Sequence, residues 1–301
     1  MPESTKTGSK RSKRGNQRVA AQAAILCVLL LLAGGAVVLA EWLCYQAGRK
    51  EYEAVAKQYV ETVVETAAET KPERSELPEP GPFPFPDNTD SVWEPSPRLP
   101  DVSALANGTQ AAPSRIAAID FASLQAGNPD CVAWLEIPGT RISYPVMYRE
   151  GDGGYYLTHT YEQTEAKAGA VHIDGASAGT DSRNMLVYGH TLLDGTMFSD
   201  LHKYKNQSFY QHHPYIYLHL PDGSVRRYQV AACVLTEGEQ SCFYLWDFAD
   251  DTSAQAYYDR FMEQSLYPTG ISVDAGEGKR TLVLSTCTRR IYRRLIFAIE
   301  I

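Results

Sequence analysis

A cysteine, an arginine and a histidine, each at the edge of an apolar run, are the residues of this chain best suited to chemistry. Thr281-Leu282-Val283-Leu284-Ser285-Thr286 reads as a strand that delivers Cys287 to its end, and Arg294 stands immediately before a second apolar run, Leu295-Ile296-Phe297-Ala298-Ile299. Two such strands side by side would set a thiol next to a guanidinium, a pairing that suits a nucleophile beside a group that holds an oxyanion or a substrate carbonyl. An ordinary thiol, with a pKa of about 8.5, is mostly protonated at neutral pH, so attack calls for a cationic neighbourhood. Arg289, Arg290, Arg293 and Arg294 supply one. Acid-base work falls to His190, which ends the apolar run Asn184-Met185-Leu186-Val187-Tyr188-Gly189.

The competing assignments are few. His159, in Leu157-Thr158-His159, is the second choice of acid-base group, while His202, His212, His213 and His219 lie in polar, turn-rich sequence and read as solvated. None of these has the spacing and third ligand that a zinc site requires, and no metal or cofactor is expected. Arg293 takes the place of Arg294 if the last strand begins one residue earlier, because neighbours on a strand face opposite ways.

Short strands must position these groups. Candidates are Val132 to Ile137, Ile142 to Met147, Gly169 to Ile173, Asn184 to Tyr188, Tyr215 to Leu220, Arg227 to Leu235, Thr281 to Thr286 and Arg294 to Ile301, separated by turns such as Pro221-Asp222-Gly223. Helices are expected over Ile116 to Ala126 and over Ser253 to Ser265, the second with Tyr257, Tyr258, Phe261, Met262 and Leu266 near one face. Eight short strands with few long helices point to a mainly β barrel or sandwich.

The Leu284-Ser285-Thr286-Cys287 strand end, Val187-Tyr188-Gly189-His190 with its Asp194-Gly195-Thr196-Met197-Phe198 continuation, and the terminal arginine strand resemble the class B sortases, membrane-anchored cysteine transpeptidases of Gram-positive bacteria. The resemblance extends through Val132 to Thr140, Ile142 to Val146, Tyr155 to His159 and Ser265 to Gly270, and so covers roughly residues 116–301. It implies an eight-stranded sortase-type barrel in which the helix ahead of the Cys287 strand walls the substrate groove. It also implies that Cys287 attacks a Thr carbonyl in a C-terminal sorting motif, broadly Asn-Pro-x-Thr-like, of a secreted protein. The thioacyl enzyme is then resolved by an amine of cell-wall precursor, a pilin or another protein. His190 is the general acid and base, Arg294 binds the oxyanion, and Leu157, Tyr244 and Ser285 stand by approximate position at the groove wall. Two other readings are an L,D-transpeptidase-like enzyme and an inactive sortase-fold binding module. The first would carry histidine and cysteine close together, whereas here they are 97 residues apart; the second does not call for keeping all three groups.

The rest of the chain reads as an anchor and a stalk. Residues 1–18 hold six basic residues against Glu3, a net +5, which with −8 overall leaves −13 for the remainder. Val19 to Ala40 carries no charge over 22 residues, enough at about 1.5 Å per residue to cross a bilayer's hydrocarbon. With the basic flank first, residues 1–18 are expected in the cytoplasm, 19–45 as a single-pass transmembrane anchor, and everything after it outside the cell. Val55, Tyr59, Val63 and Ala67 recur every four residues and suggest a juxtamembrane helix over 49–70, lying on the membrane or on the domain. Ten prolines between Pro72 and Pro113 mark 71–114 as an extended linker that holds a catalytic domain, 115–301, away from the bilayer. Cys131 and Cys233 sit in apolar runs and read as small buried hydrophobes rather than bridge partners. The acidic body suggests no nucleic-acid partner.

Overall fold

The computed structural model describes Leu39 and residues 49–62, 113–288 and 291–301. The basic tail, the apolar span apart from Leu39, and the proline-rich stretch through residue 112 lie outside the described residues. Among the described residues no helix is long and apolar enough to cross a membrane.

A helix over 49–59 (α1) and strand β1 (Val60–Thr62) come first, followed by β2 (Ile116–Ile119) and α2 (Phe121–Gly127). Then come β3 (Cys131–Glu136), β4 (Ser143–Met147), β5 (Val171–Ile173), β6 (Asn184–Tyr188), α3 (Gln207–His212), β7 (Tyr215–His219), β8 (Val225–Glu237), α4 (Asp251–Glu263), β9 (Thr281–Thr288) and β10 (Tyr292–Glu300). Strands β3 to β10 close into a barrel in the order β10-β8-β7-β3-β4-β5-β6-β9, with β9 also paired to β10. All eight strands expected from sequence are present. The β4–β5 and β6–β9 pairs are parallel and the others antiparallel. A parallel neighbour cannot be reached by a tight hairpin, so the chain between β4 and β5 must cross over the barrel. That crossover, residues 148–170, carries Leu157.

Strand alternation gives β9 and β10 two different jobs. Leu282, Leu284, Ile296 and Ala298 join the main core with Trp134 and Tyr228, while Val283, Leu295, Phe297 and Ile299 face outward and pack under α4. The seat of α4 is aromatic: Phe261 stacks on Phe297 with centroids 4.7 Å apart and planes 17° apart, and Phe243 meets Phe261 edge-on at 4.7 Å. A capping box starts the helix. Asp250 accepts from the Ser253 amide at 2.7 Å and Ser253 Oγ accepts from the Asp250 amide at 3.1 Å, so α4 begins at Asp251, two residues before the expected start.

The N-terminal expectations need correction. Ile116 to Ile119 is a strand, and the helix starts only after Asp120, whose Oδ1 accepts from the Ser123 amide at 3.0 Å. The helix expected over 49–70 gives way at residue 60 to β1, which pairs antiparallel with β2 in a small sheet of its own. Tyr52 and Val55 of α1 are buried in the main core, at 5% and 3% exposure, so the folded unit begins well before residue 115. Thr62 is the ladder partner of Ile116. His219, expected to be solvated, is buried 3.6 Å from Glu136 Oε2, which also accepts from Ser114 Oγ at 2.5 Å.

Because α4 is held mainly by its aromatic face, Phe261→Ala should lower unfolding free energy by about 3–5 kcal/mol, read by urea titration. A loss below about 1 kcal/mol would mean that the outer cluster is not what seats the helix.

Candidate active site

Three strand ends converge on the site. Strands β6 and β9 run parallel with Tyr188 beside Ser285, and the Gly189 amide donates to the Ser285 carbonyl at 3.2 Å, carrying the ladder one step further. His190 and Cys287 are thus the next residues on adjoining strands. Thr286 fixes their relative height. Its hydroxyl donates to the Gly189 carbonyl at 2.7 Å and lies 2.9 Å from the Thr191 hydroxyl, so the residues on both sides of His190 are tied to the residue before Cys287. Gly189 has no room for a side chain, since a Cβ there would sit 2.6 Å from the Phe198 ring.

His190 Nε2 lies 2.8 Å from the Leu157 carbonyl oxygen. A carbonyl only accepts, so Nε2 carries a hydrogen, and Nδ1 is the ring nitrogen that this contact leaves available. Leu157 is 44% exposed, which leaves its side chain available to a ligand while its backbone orients the histidine. His159, the alternative acid-base group, stacks on Tyr155 at 4.0 Å and uses Nδ1 on the Tyr155 carbonyl at 2.9 Å. It belongs to the crossover's own packing.

The two arginines fall on opposite faces of the last strand. In the β9–β10 hairpin Thr288 pairs with Tyr292, Cys287 with Arg293 and Thr286 with Arg294. Directly opposed residues of an antiparallel pair project to the same face, so Arg293 shares the face of Cys287. Arg294 faces the barrel interior, 5% exposed, with Nη1 donating to Cys233 Sγ at 3.6 Å. The expected strand start at Arg294 was late because the connection is only three residues long, and β10 begins at Tyr292. Arg293 is paired with Glu239 at 3.0 Å. Partial burial works against its charge, but the Glu239 pair and the neighbouring Cys287 sulfur outweigh this and hold its pKa above the ordinary arginine value.

The other two expected groove residues also meet. Tyr244 Oη lies 3.3 Å from Ser285 Oγ, and the Tyr244 ring is parallel to that of Tyr188 with centroids 6.1 Å apart. Tyr188 in turn donates to Asp174 at 2.9 Å. Ser285 itself is 4% exposed, so it supports Tyr244 more than it forms surface. Sequence reasoning missed Glu239, Tyr188 and His202. His202 is half-buried with Nε2 2.8 Å from the Thr191 hydroxyl, and burial together with the Arg294 charge lowers its pKa. Phe198, Leu201 and Tyr204, all buried, recur at the spacing of three that marks the 3-10 turn carrying His202, and that periodicity was the available signal.

Of the described cysteines, all free, Cys131 and Cys233 are fully buried as expected, and burial pushes the Cys131 thiol up to about 12. Cys287 is partly exposed and has a guanidinium across the hairpin. A thiol, a cation on its own face and a histidine held by a backbone carbonyl form an arrangement able to attack a carbonyl, hold the resulting oxyanion and move a proton.

The sortase domain family matches residues 135–300. A sortase B of Listeria monocytogenes is 31% identical over 178 residues, covering 58% of this chain and 70% of its own. Among solved structures, the Staphylococcus aureus sortase B-substrate complex is 27% identical with a TM-score of 0.55, covering 60% of this chain and 84% of that one. A sortase B complexed with triglycine is likewise 27% identical at TM-score 0.55, covering 60% of this chain and 85% of the other. More than half of the chain lies within the matched domain, and strands β4 to β10, the outer helix and the cysteine strand are all inside that range: the chain belongs to the sortase family and is a class B sortase, a cysteine transpeptidase.

Proposed function

We propose that the chain cleaves a C-terminal sorting motif of secreted proteins, Asn-Pro-x-Thr-like, and transfers them to an amine. The Cys287 thiolate attacks the Thr carbonyl carbon and the C–N bond breaks as Nδ1 of protonated His190 gives its proton to the departing amine. His190, now neutral, takes a proton from the incoming amine as it attacks the thioacyl carbon, and the Cys287 thiolate is released. Arg293 holds the carbonyl oxygen through both tetrahedral states, and Glu239 limits its swing. Leu157 and Tyr244 form the groove walls. The single observation that carries this reading is the Cys287–Arg293 pairing across the hairpin. Support for the two substrates comes from the relatives, one of them solved with substrate and another with triglycine; the acceptor is an amine of cell-wall precursor or of a pilin. The +5 tip ahead of 22 uncharged residues supports a membrane-anchored enzyme with its catalytic unit outside the cell.

The nucleophile is tested by Cys287→Ala, which should abolish turnover of Asn-Pro-x-Thr peptides while leaving Tm unchanged. At pH 8 iodoacetamide should inactivate the enzyme by labelling Cys287, with Cys131 spared because a thiol titrating at about 12 holds almost no thiolate there. Inactivation that tracks Cys242 labelling instead would remove Cys287 from the role.

The two arginines separate by measurement. Arg293→Lys should cut kcat by about 10²- to 10³-fold, since lysine keeps the charge but not the planar fork. Arg294→Lys should act on stability, lowering Tm with kcat of the folded enzyme within a few-fold. The reverse pattern would mean that the oxyanion group is the interior arginine.

Topology is checked by adding protease to intact protoplasts: the catalytic unit should be degraded and the first residues spared. Full-length protection would place the enzyme on the cytoplasmic side.

A further inference from the structure

Helix α1 lies outside the residues matched by the sortase domain, yet three of its side chains converge on one loop, the β4–β5 crossover. Tyr52 Oη donates to the Gly169 carbonyl at 2.6 Å. Glu51 accepts from the Glu162 amide at 3.3 Å, and the Tyr59 ring lies 6.5 Å from that of Tyr161. The opposite side of the loop is held by the barrel: Asn128 Nδ2 donates to the Tyr161 carbonyl at 2.7 Å, and Tyr161 Oη donates to the Leu124 carbonyl at 2.7 Å. The crossover is therefore clamped between α1 and the α2–β3 region.

What the clamp holds is the support of His190. Gly169 is in the left-handed region (φ +54°), and a Cβ there would fall 2.5 Å from the Tyr156 oxygen and 2.8 Å from the Leu157 oxygen. Its backbone is thus pressed against the same Leu157 carbonyl that accepts from His190 Nε2 at 2.8 Å. The Ala170 amide, one residue on, donates to the Tyr156 carbonyl at 2.8 Å and ties the two stretches together. Tyr52 is itself fixed, 5% exposed and packed edge-on against Tyr144 at 5.5 Å, so its hydroxyl is a rigid donor.

We infer that α1 is a working part of the active site, with Tyr52 a positioning residue that holds Gly169, and through it the Leu157 carbonyl and the ring of His190. The inference rests on His190 being the acid-base group. Releasing the Gly169 carbonyl lets the Leu157 peptide tilt, which weakens the Nε2 bond and lets Nδ1 wander from the line of proton transfer. A chain cut at residue 115 keeps the barrel and its three catalytic side chains but loses the clamp.

The test uses the full-length chain in detergent. Tyr52→Phe removes one hydroxyl and keeps the ring against Tyr144, and Glu51→Gln is the second variant, at the other end of the clamp. Each is assayed with an Asn-Pro-x-Thr peptide and triglycine, and the His190 imidazole nitrogens are followed by NMR. Tyr52→Phe should lower kcat roughly threefold to tenfold, the range expected for one lost hydrogen bond, leave KM within about twofold and Tm nearly unmoved, and displace the His190 Nε2 signal. Unmoved His190 signals, or moved signals with unchanged kcat, would overturn the positioning role. His190→Ala is run alongside. If that variant stays active, the acid-base reading of His190 fails, and displacement of the Nε2 signal in Tyr52→Phe alone then decides whether α1 is coupled to the ring.

Discussion

Thr286 is the residue on which the geometry of the site depends. Its one hydroxyl hydrogen goes to the Gly189 carbonyl, and its oxygen meets the hydroxyl of Thr191, so a single side chain grips the residues before and after His190. Because Thr286 also precedes Cys287 on β9, sliding β6 against β9 would break both contacts at once. The same strand position decides which arginine joins the thiol, since the antiparallel hairpin pairs Thr286 with Arg294 and therefore Cys287 with Arg293. A shift of one residue in that register would exchange the interior and groove faces of β10.

The segment ahead of the outer helix and the crossover each bring one residue to this seam. Aromatic packing of α4 on Phe297 anchors the segment that leads into it, and that segment supplies Tyr244 above Ser285. The crossover, required by the parallel β4–β5 pair, brings Leu157 to the histidine. Neither element contributes a reacting atom. Each places a carbonyl or a ring beside the seam where the strands alone have none.

What could be read from the sequence follows from how local each signal is. The strands of the barrel appear as apolar runs between turn residues, and Cys287 and His190 are conspicuous because each ends such a run. Which arginine shares the face of Cys287 depends on hairpin register, and Tyr292-Arg293 does not look like strand until the three-residue connection is known. Helix α1 was expected to end near residue 70 because Val63 and Ala67 continue its stripe. The competing partner of β1 is β2, more than 50 residues downstream, and no periodicity within 49–70 reveals a pairing that distant. His202 was misjudged for a similar reason: its charged neighbours Lys203 and Lys205 hide the buried spacing of Phe198, Leu201 and Tyr204.

The adjacent arginines set different electrostatic conditions on the two faces of the seam. Arg293 is compensated by Glu239, but Arg294 forms no ion pair among the described residues, and its buried guanidinium favours the neutral form of nearby His202. Proton accounting then orients the relay. Thr286 gives its hydrogen to Gly189, so the Thr191–Thr286 contact uses the hydrogen of Thr191, and His202 Nε2 must be the donor to Thr191. Burial and the Arg294 charge work against a cation at His202, while a contact to the Cys287 backbone favours one, and the balance lowers its pKa. Behind the strands His202, Thr191, Thr286 and Gly189 thus form one chain of contacts, while on the other side His190 Nε2 meets the Leu157 carbonyl.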